Sequence, residues 1–203
     1  MRQRLTQQQR RADILKHASA LFHQHGFATT EMEDIRKACA ISRGGLYHHF
    51  ANKGAILDAI IVAEVAGLAE LLKAAASPPI QTLLSAGSGH LGQDPGIVTA
   101  LKTDAEKRAY LSGLDRAIAE HLSPVLSEKL ETDVKDGTDP GHLADLFLTV
   151  NAHINRRVCL GDWGQSQAAG FAATALSALA PLLKNPAQLD KIIDKFNEIG
   201  SEK

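Results

Sequence analysis

The stretch SRGGLYHHFANK, residues 42–53, places two glycines, a tyrosine, two histidines and a lysine around one short predicted helix. Ser42 is a favourable N-cap residue, and Leu46 and Phe50 are spaced i and i+4, so both point to one side of the helix. Burying those two side chains leaves the opposite face to solvent. The residues on that face are Arg43, Gly44, Tyr47 and His48.

Two predicted helices precede this stretch. The first runs from about Thr6 to His25 and ends at Gly26, which is a common C′ residue. The pattern T-x-x-E, Thr30 to Glu33, predicts a capping box that opens the second helix. A short helix, a turn and a second capped helix form the sequence pattern of a helix-turn-helix.

The exposed face has the chemistry of a DNA-reading surface. Arg43 can donate two hydrogen bonds to guanine O6 and N7, and Tyr47, His48 or His49 and Lys53 can donate to phosphates. The glycine pair costs helix stability but lets the backbone approach DNA closely. The alternative interpretation is a capped surface helix with loose glycines.

Charge is divided unevenly along the 203 residues. Residues 1–53 carry nine Lys and Arg against four Asp and Glu, a net charge of +5, which leaves −6 on the rest of the chain. A basic N-terminal part is typical of contact with a polyanion. Two widely separated cysteines and the absence of a signal-peptide pattern predict a cytoplasmic protein. Charged residues interrupt the apolar run 55–76, so we expect a buried helix and no membrane partner.

The segments GFATTEMEDI (26–35) and AISRGGLYHHFANK (40–53) resemble the DNA-binding domain of the TetR family, over about residues 8–62. This resemblance implies phosphate contacts by Thr30, Tyr47, His49 and Lys53, and base contacts near Arg43 and the glycine pair. Two residues depart from the pattern: Ala40 stands in place of a turn glycine, and Gly54 in place of an acidic residue. The predicted DNA-binding set is Thr30, Ser42, Arg43, Gly44, Gly45, Tyr47, His48, His49 and Lys53.

The sequence predicts an all-α fold, with an N-terminal three-helix helix-turn-helix domain and a C-terminal helical domain for ligand binding and dimerisation. The predicted boundaries are 1–53 for the DNA-binding domain, 54–76 for a connecting helix and 77–203 for the C-terminal domain. Two long helices are expected at 140–160 and 165–183, and the resemblance implies that they form a four-helix dimer interface. An intramolecular core is the alternative. The predicted interface residues are Leu143, Phe147, Val150, Ile154, Ala169 and Ala173.

The resulting hypothesis is a homodimeric repressor that leaves a near-palindromic operator when an unknown small molecule binds. The candidate effector-pocket residues are Tyr110, His121, Asn151, Asn155, Cys159 and Trp163. Two alternatives are a metal-responsive regulator of the same fold and a helical enzyme or carrier with an accidental motif. The scattered histidines lack ligand spacing, and no nucleophile with a base or carboxylate pair stands out, so neither a metal nor a cofactor nor catalysis is predicted. The segment GSGHLG (87–92) matches G-x-G-x-x-G, but no predicted strand precedes it and a plain loop is expected.

Overall fold

Ten α-helices make up most of residues 6–87 and 96–201, which are the residues that the computed structural model describes. Within those ranges there is no β-strand, only an isolated bridge between Val134 and Leu183. The all-α prediction is therefore confirmed. The helices are α1 (Gln7–His25), α2 (Met32–Ala38), α3 (Arg43–His49), α4 (Lys53–Ala74), α5 (Pro79–Gly87), α6 (Asp104–Ala117), α7 (Ser123–Leu130), α8 (Pro140–Cys159), α9 (Gln165–Leu179) and α10 (Asp190–Ser201).

Local capping sets most of the helix ends. The Thr6 hydroxyl accepts from the Gln9 backbone N–H and the Gln9 side chain accepts in return from Thr6 N–H, so α1 begins with a capping box. Asn52 caps α4 by accepting from Ala55 N–H at 2.9 Å. Asp139 caps α8 by accepting from His142 N–H at 2.8 Å. Each of these caps joins residues only three positions apart, so it depends on local sequence alone.

The chain divides into two compact units. The first contains Met1–Ala63 and Gly96–Gly113, and the second contains Glu64–Pro95 and Leu114–Lys203. These units differ from the predicted boundaries at residues 53 and 76, because residues 96–113 join the N-terminal unit. A backbone hydrogen bond from Phe27 N–H to the Ala100 carbonyl, 2.8 Å long, helps to hold them there.

In the first unit, α1, α2 and α3 surround a small apolar core. Ile14, Phe22 and Ile35 are completely buried, and Leu46 from α3 joins them. Cys39 is also buried, and burial raises the pKa of its thiol to about 11. Such a core fixes the orientation of α3, because rotating this helix would expose Leu46 to water.

In the second unit, α8 packs against α7 and α9, and α9 packs against α10. The last two helices approach closely where Gly170 meets Gly200. A Cβ on Gly200 would stand 3.1 Å from the Gly170 Cα atom. The Ser166 hydroxyl also donates to the Gly200 carbonyl at 2.8 Å, so the start of α9 lies beside the end of α10. Among the described residues, no helix combines the length and apolar character of a membrane span.

Candidate nucleic-acid interface

Helix α3 is anchored at its N-terminus and along its inner face. The Ser42 hydroxyl accepts from Gly45 N–H at 3.0 Å, which is the predicted N-cap. Leu46 is fully buried and Phe50 is 2% exposed, as the i, i+4 pattern predicts. The opposite face is open to solvent. It carries Arg43, Gly44, Tyr47 and His48.

The two glycines of α3 have different structural surroundings. A Cβ built on Gly45 would lie 3.2 Å from the Ser42 hydroxyl oxygen, so the N-cap itself favours glycine there. A Cβ on Gly44 would meet nothing within 4 Å. Packing within the chain therefore does not explain why a helix-weakening glycine stands at position 44. Close approach of the helix to a DNA groove would explain it.

Arg43 and Tyr47 lie beside each other on the exposed face. The Arg43 guanidinium carbon is 5.7 Å from the centre of the Tyr47 ring, and Tyr47 is 45% exposed. An arginine over an aromatic face is restrained without losing its planar set of donors. This pair can present two N–H groups to a base edge and a phenol to a phosphate.

Lys53, which the sequence assigns to a phosphate, is already engaged within the first unit. Its Nζ donates to the carbonyl oxygens of Phe27 at 2.7 Å and Ala28 at 3.0 Å, and it lies 4.8 Å from the Phe27 ring centre. These bonds use two of the three ammonium donors. Lys53 therefore ties the start of α4 to the loop that follows α1, and at most one donor remains for DNA.

Thr30 is not the N-cap of α2 that the sequence predicts. Its hydroxyl donates to the Gly26 carbonyl at 2.8 Å, and the residue is 1% exposed, which leaves its side chain no surface for a phosphate. The N-cap of α2 is Glu31, whose N–H donates to the Asp34 carboxylate at 3.0 Å. The predicted capping box is therefore wrong by one residue, because the Gly26 carbonyl takes the Thr30 hydroxyl.

The turn between α2 and α3 has the backbone that the sequence indicates. Ala40 has φ of 51°, the left-handed conformation expected where relatives of this pattern carry glycine. Arg36 holds the turn from one side, since it donates to the Ile41 carbonyl at 2.9 Å and pairs with Glu33 at 2.7 Å. This pairing lowers the pKa of the Glu33 carboxyl. The strained residue is thus held by its neighbours.

Sequence reasoning missed part of this surface. A groove between the start of α1 and the end of α3 brings Arg11 and glutamines of α1 beside the two histidines. Arg11 donates to the His49 carbonyl at 3.3 Å, across 38 residues. Arg11 follows Gln7 by one helical turn on α1, but only the folded chain shows that this face meets α3.

The six predicted effector residues are spread over both units. Tyr110 is 3% exposed and belongs to the first unit, whereas the other five belong to the second. Asn151 donates from Nδ2 to the Phe147 carbonyl of its own helix at 2.9 Å, and Asn155 is half-buried. His121 lies in a π-helical turn at Ile118–Leu122 with about a third of its side chain exposed. Cys159 is 7% exposed.

Trp163 belongs to a surface aromatic cluster. Its ring centre lies 5.2 Å from that of His153 and 5.1 Å from that of Phe171, which is 39% exposed. Arg157 stands 5.3 Å from the Trp163 ring centre and pairs with Asp162 at 3.1 Å. This cluster is an exposed apolar feature at the C-terminal end of α8.

The predicted dimer residues require a correction. Five of them are at most 7% exposed within the single chain, and Val150 is half-buried, so the five belong to the core of the second unit. Those five are Leu143, Phe147, Ile154, Ala169 and Ala173. Helix α8 is apolar on more than one side, and the sequence alone does not show which side faces α7 and α9. Among the described residues of the second unit, the large apolar side chains that remain exposed are Leu71, Leu146, Phe171 and Leu182.

In the described part of the chain, no three His, Cys, Asp or Glu residues come together as a metal site. His90 and most of the segment GSGHLG lie outside the described residues.

Comparison with known proteins gives this geometry a context. The family model described as "Bacterial regulatory proteins, tetR family" matches residues 14–60, which contain α2, α3 and the turn between them. Residues 14–60 therefore form a DNA-binding domain of the TetR type. The matched region contains the helix-turn-helix, and the exposed face of α3 belongs to it.

Regulators of the helix-turn-helix type are similar to the chain in this region. The regulator UidR of Escherichia coli is 48% identical over 52 residues, and the repressor KstR2 of Mycobacterium tuberculosis is 38% identical over 52. Each match spans about a quarter (26%) of this chain and 26% of the relative's length. GusR of Salmonella enterica, 23% identical, has the same fold over 90% of this chain and 100% of its own, with a TM-score of 0.58.

Proposed function

We propose that the protein is a homodimeric repressor that binds a near-palindromic operator and releases it when a small molecule binds. The exposed face of α3 is the observation that carries this proposal. It combines Arg43 and Tyr47 with Gly44, a glycine that the chain's own packing does not require. A helix with an arginine, a phenol and no bulk between them suits direct reading of the major groove.

The second unit supplies support for a dimer. Leu146 is 48% exposed, Phe171 39% and Leu182 36%, and all three lie on or directly after α8 and α9. Exposed large apolar side chains on neighbouring helices favour a partner surface. A second copy fits best, because a helix-turn-helix that reads a palindrome needs a two-fold partner.

Release would follow from a shift between two dimer states. A small molecule that binds better to one state favours a spacing of the two recognition helices that no longer matches successive major grooves. An apolar molecule with a few polar groups suits the half-buried amides of Asn151 and Asn155 on α8. Such a regulator would act in the cytoplasm, where the operator is.

Binding to the DNA upstream of its own coding region tests the function directly. We expect fluorescence anisotropy with a labelled duplex to show saturable binding of two protomers per site. An unlabelled non-specific duplex should compete only weakly with the labelled one. Equal affinity for the upstream and the non-specific duplex would contradict the proposal.

Effector release needs a second experiment. Apolar and aromatic metabolites can be screened for a rise in melting temperature, and each stabilising compound retested on the operator complex. We expect at least one stabilising compound to raise the dissociation constant for the operator. If stabilising compounds consistently leave operator affinity unchanged, the release mechanism is wrong, although operator binding stands.

A further inference from the structure

A polar groove lies between the N-terminus of α1 and the C-terminus of α3, outside the predicted DNA-binding set except for its histidines. Its lining residues are Thr6, Gln7, Gln8, Arg11, His48 and His49. All of these side chains end in hydrogen-bonding groups, and none carries a negative charge. The composition therefore favours a ligand that accepts hydrogen bonds and is itself an anion.

Arg11 is held in place before any ligand arrives. Its guanidinium carbon lies 4.3 Å from the centre of the Phe50 ring, and Nη1 donates to the His49 carbonyl at 3.3 Å. Phe50 is 2% exposed, so the ring that supports the guanidinium is part of the core. One donor of five is used in this way. A guanidinium fixed on a rigid ring loses little conformational entropy when it binds an oxyanion.

Arg11 gives the groove a positive charge that no acidic residue among the groove's lining residues balances. The pKa of His49 is lowered, first by burial and then by repulsion from His48, Arg11 and Arg10. Arg10 is partly neutralised by Asp13, 2.9 Å away, and Asp13 also lies 3.5 Å from His17. On the α4 side, Asp58 lines a neighbouring depression with Arg11. These carboxylates lie outside the groove lining, so an anion placed in the groove would relieve the repulsion there.

We propose that this groove binds a DNA backbone phosphate, with Arg11 as its principal charged donor and with Gln7, Gln8 and His49 completing the site. The inference rests on the proposed operator binding and deepens it. Arg43 lies at the start of α3 and the groove lies at its end. With seven residues at a rise of about 1.5 Å each, the two ends of the helix are about 10 Å apart. A phosphate held there fixes the register of the recognition helix without reading sequence.

The test compares the salt dependence of DNA binding for the full chain and four variants, on the upstream operator and on a non-specific duplex. Arg11→Gln removes the charge, and Arg11→Lys keeps it without the planar fork. Gln7→Glu places a carboxylate in the groove at the first residue of α1, where the helix dipole favours it. Lys16→Gln is the matched control, since it removes one charge from α1 about 140° around the helix from Arg11.

For Arg11→Gln we expect affinity to fall about tenfold per half-site at low salt, on both duplexes. The slope of log K plotted against the logarithm of the salt concentration should decrease in magnitude by about 0.9 per contact, or about two per dimer. Arg11→Lys should keep the wild-type slope. Gln7→Glu should weaken binding while its melting temperature stays equal or rises, which a loss of folding would not produce. Lys16→Gln should leave both affinity and slope close to wild type.

Failure of this inference is distinguishable from failure of operator binding. If the wild type binds the operator, but Arg11→Gln has the same slope as Lys16→Gln, the phosphate site is wrong and the repressor function stands. Wild-type affinity in Gln7→Glu at low salt would overturn the site in the same way. A wild type that does not prefer its operator contradicts the function itself.

Discussion

The ammonium group of Lys53 donates a hydrogen bond to the carbonyl oxygen of Phe27 over 2.7 Å, across 26 residues of sequence. A second bond reaches the carbonyl oxygen of Ala28 at 3.0 Å. The N-terminus of α4 is thus fastened to the loop between α1 and α2. This changes what a substitution at Lys53 is expected to do.

Lys53→Ala should lower the free energy of unfolding by about 1 kcal/mol, since two hydrogen bonds from a charged, half-buried donor are lost. Urea denaturation of the wild type and the variant measures this. Lys16→Ala, which removes an exposed lysine from the same unit, is the control and should be near neutral. Because one ammonium donor of Lys53 remains for DNA, the salt dependence of DNA binding tests whether Lys53 also contacts a phosphate. A normal stability with a slope reduced by about two per dimer would show that Lys53 serves the phosphate alone.

Gly44 and Gly45 should respond differently to alanine. Gly44→Ala should stabilise the fold by about 0.8 to 1.0 kcal/mol through helix propensity, because an added Cβ meets nothing within 4 Å. It should nevertheless weaken operator binding, and Gly44→Leu should do so more strongly. Gly45→Ala should gain less stability, since its Cβ would press on the Ser42 hydroxyl at 3.2 Å. Thermal unfolding and anisotropy on the same samples separate the two effects, and tight operator binding by Gly44→Leu would contradict groove insertion.

Arg43→Ala is expected to relax sequence preference. Loss of a bidentate base contact should cost about 1 to 3 kcal/mol per half-site on the operator and much less on non-specific DNA. Binding to a set of duplexes with each half-site position changed in turn measures this. We expect one symmetric base pair to lose its preference. An unchanged preference at every position would place base reading elsewhere on the protein.

Substitutions at two phenylalanines of the second unit should have different effects on dimerisation and on folding. Phe171→Asp alters a side chain that is 39% exposed, so the chain should fold and sediment as a monomer. Phe147→Asp places a charge at a site 3% exposed and should unfold the protein instead. Sedimentation and circular dichroism together test the pair. A wild type that sediments as a monomer at micromolar concentration would contradict the dimer.

Acid should destabilise the fold through His49. The pKa of this imidazole is lowered by burial and by the positive groups near it, so the unfolded chain binds the proton more readily. Its contribution to stability is therefore complete above the unfolded pKa of about 6.5 and declines as the pH falls below that value. Between about pH 7.5 and 5.5, the wild type should lose more unfolding free energy than His49→Gln. Equal losses would mean that other groups account for the acid sensitivity.

The sequence predicted α3 in detail because its determinants lie within a few residues of one another. Ser42 caps the helix, Leu46 and Phe50 face inward, and Ala40 takes the left-handed conformation that a turn glycine normally supplies. The same local logic applies to the caps of α4 and α8, which join residues three positions apart. It failed at α2, where Thr30 and Glu31 are both suitable caps one residue apart. Burial of Thr30, whose hydroxyl donates to the Gly26 carbonyl four residues earlier, decided between them.

By itself, then, the sequence determined the order of the helices, the match of residues 14–60 to the TetR DNA-binding domain and the solvent-exposed face of α3, because these depend on spacing along the chain. The tertiary structure decided which polar groups are already occupied and which apolar faces are already covered. Lys53 is committed to carbonyls 25 and 26 residues earlier, and Arg11 reaches His49 across 38 residues. Leu146 and Phe147 are adjacent in sequence, yet one is 48% exposed and the other 3%. Such differences arise from long-range packing, which local periodicity does not encode.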